Sequence, residues 1–66
     1  MHSTVVVFEL APDGAAIPGP TVEIEAAHHD ALRVAATAML ATRYARVRSI
    51  GFTPTGLVAY VVPRVG

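Results

Sequence analysis

The 66-residue chain contains no cysteine, tryptophan, lysine, asparagine or glutamine. Without cysteine there can be no disulfide framework and no thiolate metal site. Without lysine, the five basic residues are all arginine, and they balance five acidic residues, so the formal net charge is zero with histidine neutral. Charged residues make up only 15% of the chain and apolar residues 53%. That composition argues against intrinsic disorder and favours a folded domain.

Long apolar segments are also missing. No unbroken apolar run approaches the roughly 20 residues that a membrane-spanning helix needs. The first three residues, Met1, His2 and Ser3, do not begin a charged n-region followed by an apolar h-region, so we expect no signal peptide. The sequence therefore predicts one compact cytoplasmic domain over residues 1–66, with no membrane partner.

The small size of the chain limits the core that it can build. A domain of about 60 residues buries only about 60% of the surface that its unfolded chain exposes. Such domains usually gain further stability from disulfides, a metal or a partner subunit. Disulfides are excluded here, and a net charge of zero removes the repulsion that would oppose association. We therefore expect a homodimer or another small oligomer.

Two strands are predicted in the first half of the chain. Residues 4–10 are β-branched and aromatic, which is typical of a strand. Residues 21–26 alternate between apolar and polar side chains, as in a half-buried strand. Between them, residues 11–14 read Ala-Pro-Asp-Gly and predict a turn. Residues 15–20 contain two prolines, which exclude a regular central strand.

A helix and a hairpin are predicted in the second half. Residues 28–43 contain no glycine or proline and are rich in helix formers. Their apolar stripe at helical spacing consists of Leu32, Ala35, Ala36, Met39 and Leu40. Residues 46–53 and 57–63 predict two strands, and the sequence Thr-Pro-Thr-Gly at residues 53–56 predicts the turn between them. The expected fold is α+β, a small β-β-α-β-β domain whose four-stranded antiparallel sheet carries one helix on one face.

Both faces of the predicted hairpin are apolar. If Thr53 and Leu57 flank the turn, Phe52 pairs with Val58 and Ile50 with Tyr60. We expect these larger side chains to face away from the helix, while Val6, Phe8 and Leu10 of the first strand face it. One helix covers one face, so the other face exposes an apolar patch of a size that usually marks an interface. The expected oligomer or partner interface consists of Ile50, Phe52, Val58, Tyr60 and Val62.

One basic cluster offers an alternative. Arg43, Arg46 and Arg48 lie close together in the sequence, next to Tyr44. Arginine binds phosphate with two parallel hydrogen bonds, and tyrosine can stack on a base. These three arginines are the candidate contacts for an anion or for nucleic acid, although the chain carries no known nucleic-acid motif.

The other polar groups give little sign of catalysis or metal binding. His28 and His29 are neighbours on the predicted helix, point about 100° apart and cannot chelate one ion together. Glu23 and Glu25 project from one side of a strand, about 7 Å apart, and we expect them to face Arg46 and Arg48. No nucleophile elbow or phosphate-binding loop is present. We therefore expect no enzymatic activity, no cofactor and no metal.

The sequence thus favours a non-enzymatic protein-interaction module, a homodimer that binds or inhibits a macromolecular partner, here an unidentified protein. The alternative is a small nucleic-acid-binding regulator that uses the arginine cluster.

Overall fold

The computed structural model describes residues 1–64, so the last two residues of the predicted domain lie outside the described residues. It contains five elements: β1 (His2–Leu10), β2 (Ala16–Glu25), α1 (His29–Arg43), β3 (Arg46–Thr53) and β4 (Gly56–Val62). The strands form one sheet in the order β2-β1-β4-β3. The predicted α+β class and the β-β-α-β-β order are confirmed.

The sheet is mixed, so the prediction of a wholly antiparallel sheet is wrong. β1 pairs antiparallel with β2, and β3 with β4, but the central strands β1 and β4 run parallel. The physical reason is that α1 connects β2 to β3, and a helical connection allows the two strands that it joins to run parallel. Because each hairpin is antiparallel, β1 and β4 are then parallel as well. The two hairpins thus meet through their parallel inner strands, while β2 and β3 form the edges.

The edge position of β2 explains how it accommodates its prolines. Pro18 and Pro20 lie within β2 and cannot donate to a ladder, which is tolerated at an edge. Pro18 pairs with Phe8 after a register shift between Val6 and Phe8 on β1. The prediction that residues 15–20 form no regular central strand therefore agrees with the structure.

Helix α1 matches the predicted residues 28–43. His28 is its N-cap, in an extended conformation with no side-chain hydrogen bond to the helix. Asp30 lies in the first turn and Arg43 in the last, where each charge complements the helix dipole. The backbone N–H of Tyr44 donates to the Leu40 carbonyl at 3.0 Å and closes the last turn.

The core lies between α1 and one face of the sheet. The helix contributes Leu32, Ala36 and Leu40, all three buried, as the predicted stripe requires. Met39 packs at the edge of this core and Ala35 is half-buried. The sheet contributes buried side chains from its strands: Val5, Val7, Ile24, Leu57, Ala59 and Val61.

The predicted hairpin register is wrong by one residue. Thr53 pairs with Gly56, which leaves a two-residue loop instead of the three-residue loop expected. Phe52 therefore pairs with Leu57 and Ile50 with Ala59, and the two partners Leu57 and Ala59 are buried on the helix side of the sheet. A shift of one residue moves every side chain of a strand to the other face. The predicted pairs Phe52–Val58 and Ile50–Tyr60 do not form.

The predicted orientation of the first strand is also reversed. Val5 and Val7 are fully buried under the helix, whereas Val6 is 41% exposed. Since side chains alternate along a strand, Phe8 and Leu10 share the side of Val6. The residues expected against the helix therefore lie on the opposite, uncovered face.

Candidate interaction surface

The face of the sheet opposite α1 carries a continuous apolar strip. It lies on the two central strands, and we call it the open face strip: Val6, Phe8 and Leu10 of β1 with Val58, Tyr60 and Val62 of β4. In the parallel register Val6 lies beside Val58 and Phe8 beside Tyr60. The side chains are half-buried by one another or exposed, and no element within residues 1–64 covers them.

An aromatic pair forms the middle of the strip. The rings of Phe8 and Tyr60 are stacked, with centroids 5.4 Å apart and planes inclined by 19°. Tyr60 remains 36% exposed. Neighbouring rings at this separation attract each other beyond the area that they bury. The pair therefore presents a preformed apolar surface to solvent.

The expected interface residues are divided between the two faces. Val58, Tyr60 and Val62 lie on the open face, as predicted. Ile50 lies on the helix side and packs against the core. Phe52 also lies on the helix side, 42% exposed, and its ring stacks on His29 with centroids 4.3 Å apart. The placement of Ile50 and Phe52 on the uncovered face is wrong.

Three open face residues were not expected there: Val6, Phe8 and Leu10. The alternation of residues 4–10 indicates that they share a face, but it does not say which face. Within residues 4–10, both sets of side chains are apolar apart from Thr4 and Glu9. The charged side chain of Glu9 lies on the helix side, where its carboxylate accepts a hydrogen bond from the Tyr44 hydroxyl at 3.2 Å.

An acidic pair occupies one corner of the open face. Glu23 and Glu25 lie on edge strand β2, opposite Thr4 and His2 at the beginning of β1. The Thr4 hydroxyl donates to Oε2 of Glu23 at 2.6 Å, which holds that carboxylate on the face. We call Glu23 and Glu25 the acidic corner.

A basic pair occupies the diagonally opposite corner. Arg46 pairs with Val62 on edge strand β3. Arg48 lies at a register shift between Val47 and Ser49 and lines a groove together with Leu10, Val62, Pro63 and Arg64. We call Arg46 and Arg48 the basic corner. Arg43, the third member of the predicted cluster, ends the helix in the other layer and is not part of this corner.

The expected contact between these two pairs does not form within the chain. β2 and β3 are opposite edges of the sheet, with β1 and β4 between them. Among residues 1–64, the one ion pair within 4.0 Å joins His29 to Asp30, so neither corner has an ionic partner among the described residues. The sequence pattern could not predict this separation of the two pairs, because it does not reveal strand order.

Residues 1–64 contain no group of three or more potential metal ligands among His, Asp and Glu. No helix formed by these residues is long and apolar enough to cross a membrane. His28 and His29 sit at the exposed beginning of α1.

No family model matches the chain, and no curated protein and no solved structure is significantly similar to it.

Proposed function

We propose that the protein is a non-enzymatic interaction module that acts as a homodimer through its open face and binds or inhibits a macromolecular partner. One observation carries the proposal: six apolar side chains form a strip along the two central strands, and nothing in the described chain covers them. Monomeric proteins rarely leave a large contiguous apolar surface in water.

The dimensions of the molecule support a second copy as the occupant. The four strands have 7–10 residues each, so by strand spacing and residue rise the sheet face measures roughly 30 × 20 Å. A face of that size is comparable with the roughly 800 Å² that each partner buries in a stable interface. The apolar strip with polar groups at its margins also has the composition of such an interface.

An enzymatic role has little support from the same surface. Glu23 and Glu25, two carboxylates on one side of a strand, lie exposed on the edge of the sheet. Catalytic carboxylates usually act inside a concave site that excludes water. We therefore retain the interaction module as the proposed function.

Nucleic-acid binding takes second place. Arg46 and Arg48 adjoin each other on one corner, but Arg43 lies in the helix layer and the chain has no net charge. If this alternative held, the protein would be retained on DNA or heparin in a salt-dependent manner. That retention would be lost when Arg46 and Arg48 are both replaced by alanine.

The proposal is tested by light scattering across a dilution series. The variant Val6→Thr with Val58→Thr keeps the shape and β-branching of both open face side chains but adds hydroxyl groups. Each site occurs twice in a dimer, so we expect the dissociation constant to rise by about tenfold or more. The matched control is Val34→Thr, which makes the same change at a 71% exposed helix position. We expect no change for the control.

Two results would contradict the proposal. One is a wild-type protein that stays monomeric at millimolar concentration. The other is an oligomer that the double threonine variant does not weaken while its circular dichroism spectrum remains native. Because Phe52 lies on the helix side, a substitution there would not test this surface.

A further inference from the structure

We propose that the second copy binds in one orientation. Its acidic corner contacts the basic corner of the first copy, and its basic corner contacts the acidic corner of the first copy. This inference rests on the proposed homodimer. It starts from two charged pairs on the same face, Glu23 with Glu25 and Arg46 with Arg48, that have no ionic partner among residues 1–64. From strand spacing and residue rise, the corners are roughly 27 Å apart, too far to interact within a protomer.

The symmetry of a homodimer decides whether these corners can meet. A dimer of identical chains uses a two-fold axis, and every contact then occurs twice. When two sheets pack face to face, that axis lies between them and parallel to both. An axis perpendicular to the diagonal that joins the corners maps the acidic corner onto the partner's basic corner. Both charged contacts then form together.

The other simple orientations leave the charges unmatched. With the axis along the strands, the acidic corner meets the hairpin turn at Thr53 and Gly56 of the second copy, which carries no charge. With the axis across the strands, it meets the beginning of β2 near Pro18, which is also uncharged. Of the three axes, only the one perpendicular to the diagonal between the corners pairs both acidic corners with both basic corners. We call it the diagonal axis. It also makes the strands of the two sheets cross at a large angle, as in orthogonal sheet packing.

The centre of the face fits the same arrangement. Phe8 and Tyr60, with Val6 and Val58, lie between the two corners, so the diagonal axis brings the centres of the two apolar strips into contact where the strips cross. At the basic corner, the groove beside Arg48 is walled by Leu10, Val62 and Pro63. Arg48 and Arg64 both line this groove, so it offers guanidinium partners to the carboxylates of the second copy.

The test reverses the charge of one corner. The variant Arg46→Glu with Arg48→Glu places glutamates at both corners, so like charges meet twice in the diagonal dimer. We expect the dissociation constant to rise by about tenfold or more at low salt. The matched control is Arg33→Glu with Arg43→Glu on the helix. Each Arg→Glu change alters the charge by −2, so both double variants carry −4 from a formal zero. The control separates the corner effect from net repulsion, and we expect it to weaken the dimer far less.

A rescue variant completes the test. Adding Glu23→Arg and Glu25→Arg to the reversed basic corner exchanges the two corners and returns the formal charge to zero. In the diagonal orientation this fourfold variant regains opposite charges at both contacts, so we expect dimerisation to return to within a few fold of the wild type. Circular dichroism confirms that each variant is folded before its association is measured.

The outcomes separate this inference from the proposed function. If corner reversal weakens the dimer no more than the helix control, or the exchanged corners do not restore it, the orientation is wrong. If Val6→Thr with Val58→Thr still weakens that dimer, the open face remains the interface. If neither the corner nor the strip affects association, both proposals fail.

Discussion

The hydroxyl of Tyr44 donates a hydrogen bond of 3.2 Å to Oε2 of Glu9. The contact joins the residue after α1 to the central strand β1, across 35 positions of sequence. It also accounts for an acidic side chain on the helix side of the sheet, because the half-buried carboxylate has a donor there. Burial raises the pKa of Tyr44 above its ordinary value of 10.0, and the hydrogen bond and charge of Glu9 raise it further.

Replacing Tyr44 by phenylalanine removes the hydroxyl, so the half-buried Glu9 carboxylate loses this hydrogen bond. We expect Tyr44→Phe to lower the free energy of unfolding by about 1–2 kcal/mol at neutral pH, measured by urea denaturation. Tyr60→Phe, which removes the hydroxyl of a 36% exposed tyrosine, is the control, and all three proteins are compared at a concentration low enough to keep the chain monomeric. A Tyr44→Phe variant as stable as the wild type would show that the hydrogen bond contributes nothing to stability.

The same tyrosine gives a prediction for alkaline pH. Its raised pKa means that the folded state holds the phenolic proton more tightly than the unfolded state. The associated stability is fully present below pH 10 and is lost as the pH rises through the higher folded pKa. We expect the wild type to lose stability in this range and Tyr44→Phe to lose less. Parallel pH profiles for the two proteins would contradict this.

Gly56 lies where the β3–β4 hairpin meets β1. Its φ of 153° is unfavourable for other residues, and an added Cβ would collide with the backbone carbonyl oxygen of Thr4. We expect Gly56→Ala to cost about 1–3 kcal/mol in the free energy of unfolding. Gly51→Ala is the matched control, because a Cβ there meets nothing within 4 Å. Equal stability of the two variants would contradict the close approach.

Leu40 is among the largest fully buried side chains in the core. Truncating it leaves a cavity between α1 and the sheet, so we expect Leu40→Ala to lower the free energy of unfolding by about 2–5 kcal/mol. Val34→Ala removes apolar atoms from the solvent side of the same helix and should change stability by no more than about 0.5 kcal/mol. All variants should be compared at one protein concentration, since dimerisation adds to the apparent stability. A small loss for Leu40→Ala would mean that the helix does not pack as described.

His28 is an N-cap that provides no side-chain hydrogen bond to the helix. Its backbone is already extended, as an N-cap requires, so aspartate can accept from the first free N–H groups without rearrangement. We expect His28→Asp to raise the thermal midpoint and to stabilise the protein by about 1 kcal/mol. His28→Ala, which lacks an acceptor, should give no such gain. If both variants behaved alike, capping would not explain the effect.

The local signals in the sequence were sufficient for the elements and their order. The run of helix formers before Arg43 predicts α1 nearly to the residue, and the alternation of residues 21–26 predicts the second half of β2. The prolines of residues 15–20 exclude a central strand, in agreement with the edge position of β2. These features depend on contacts between near neighbours in the chain, so composition and spacing reveal them.

The faces and the strand order depended on tertiary structure. Val6 and Val7 are chemically identical, and only packing against α1 buries one and exposes the other. Likewise a two-residue loop instead of a three-residue loop sends Phe52 to the helix side. Where both sides of a strand are apolar, hydrophobic patterning cannot select the register, and the choice passes to the fit between helix and sheet.

The sequence by itself determined that one face of the sheet remains uncovered. It contains one helix for four strands, and apolar residues occupy both faces of those strands. Only the tertiary structure decided that the uncovered surface is the strip around Phe8 and Tyr60. It also decided that the glutamates and arginines lie at opposite corners of one face. The reason is that strand order and side-chain direction depend on pairing between residues far apart in the chain, such as the parallel contact of β1 with β4. Local sequence patterns do not encode that pairing.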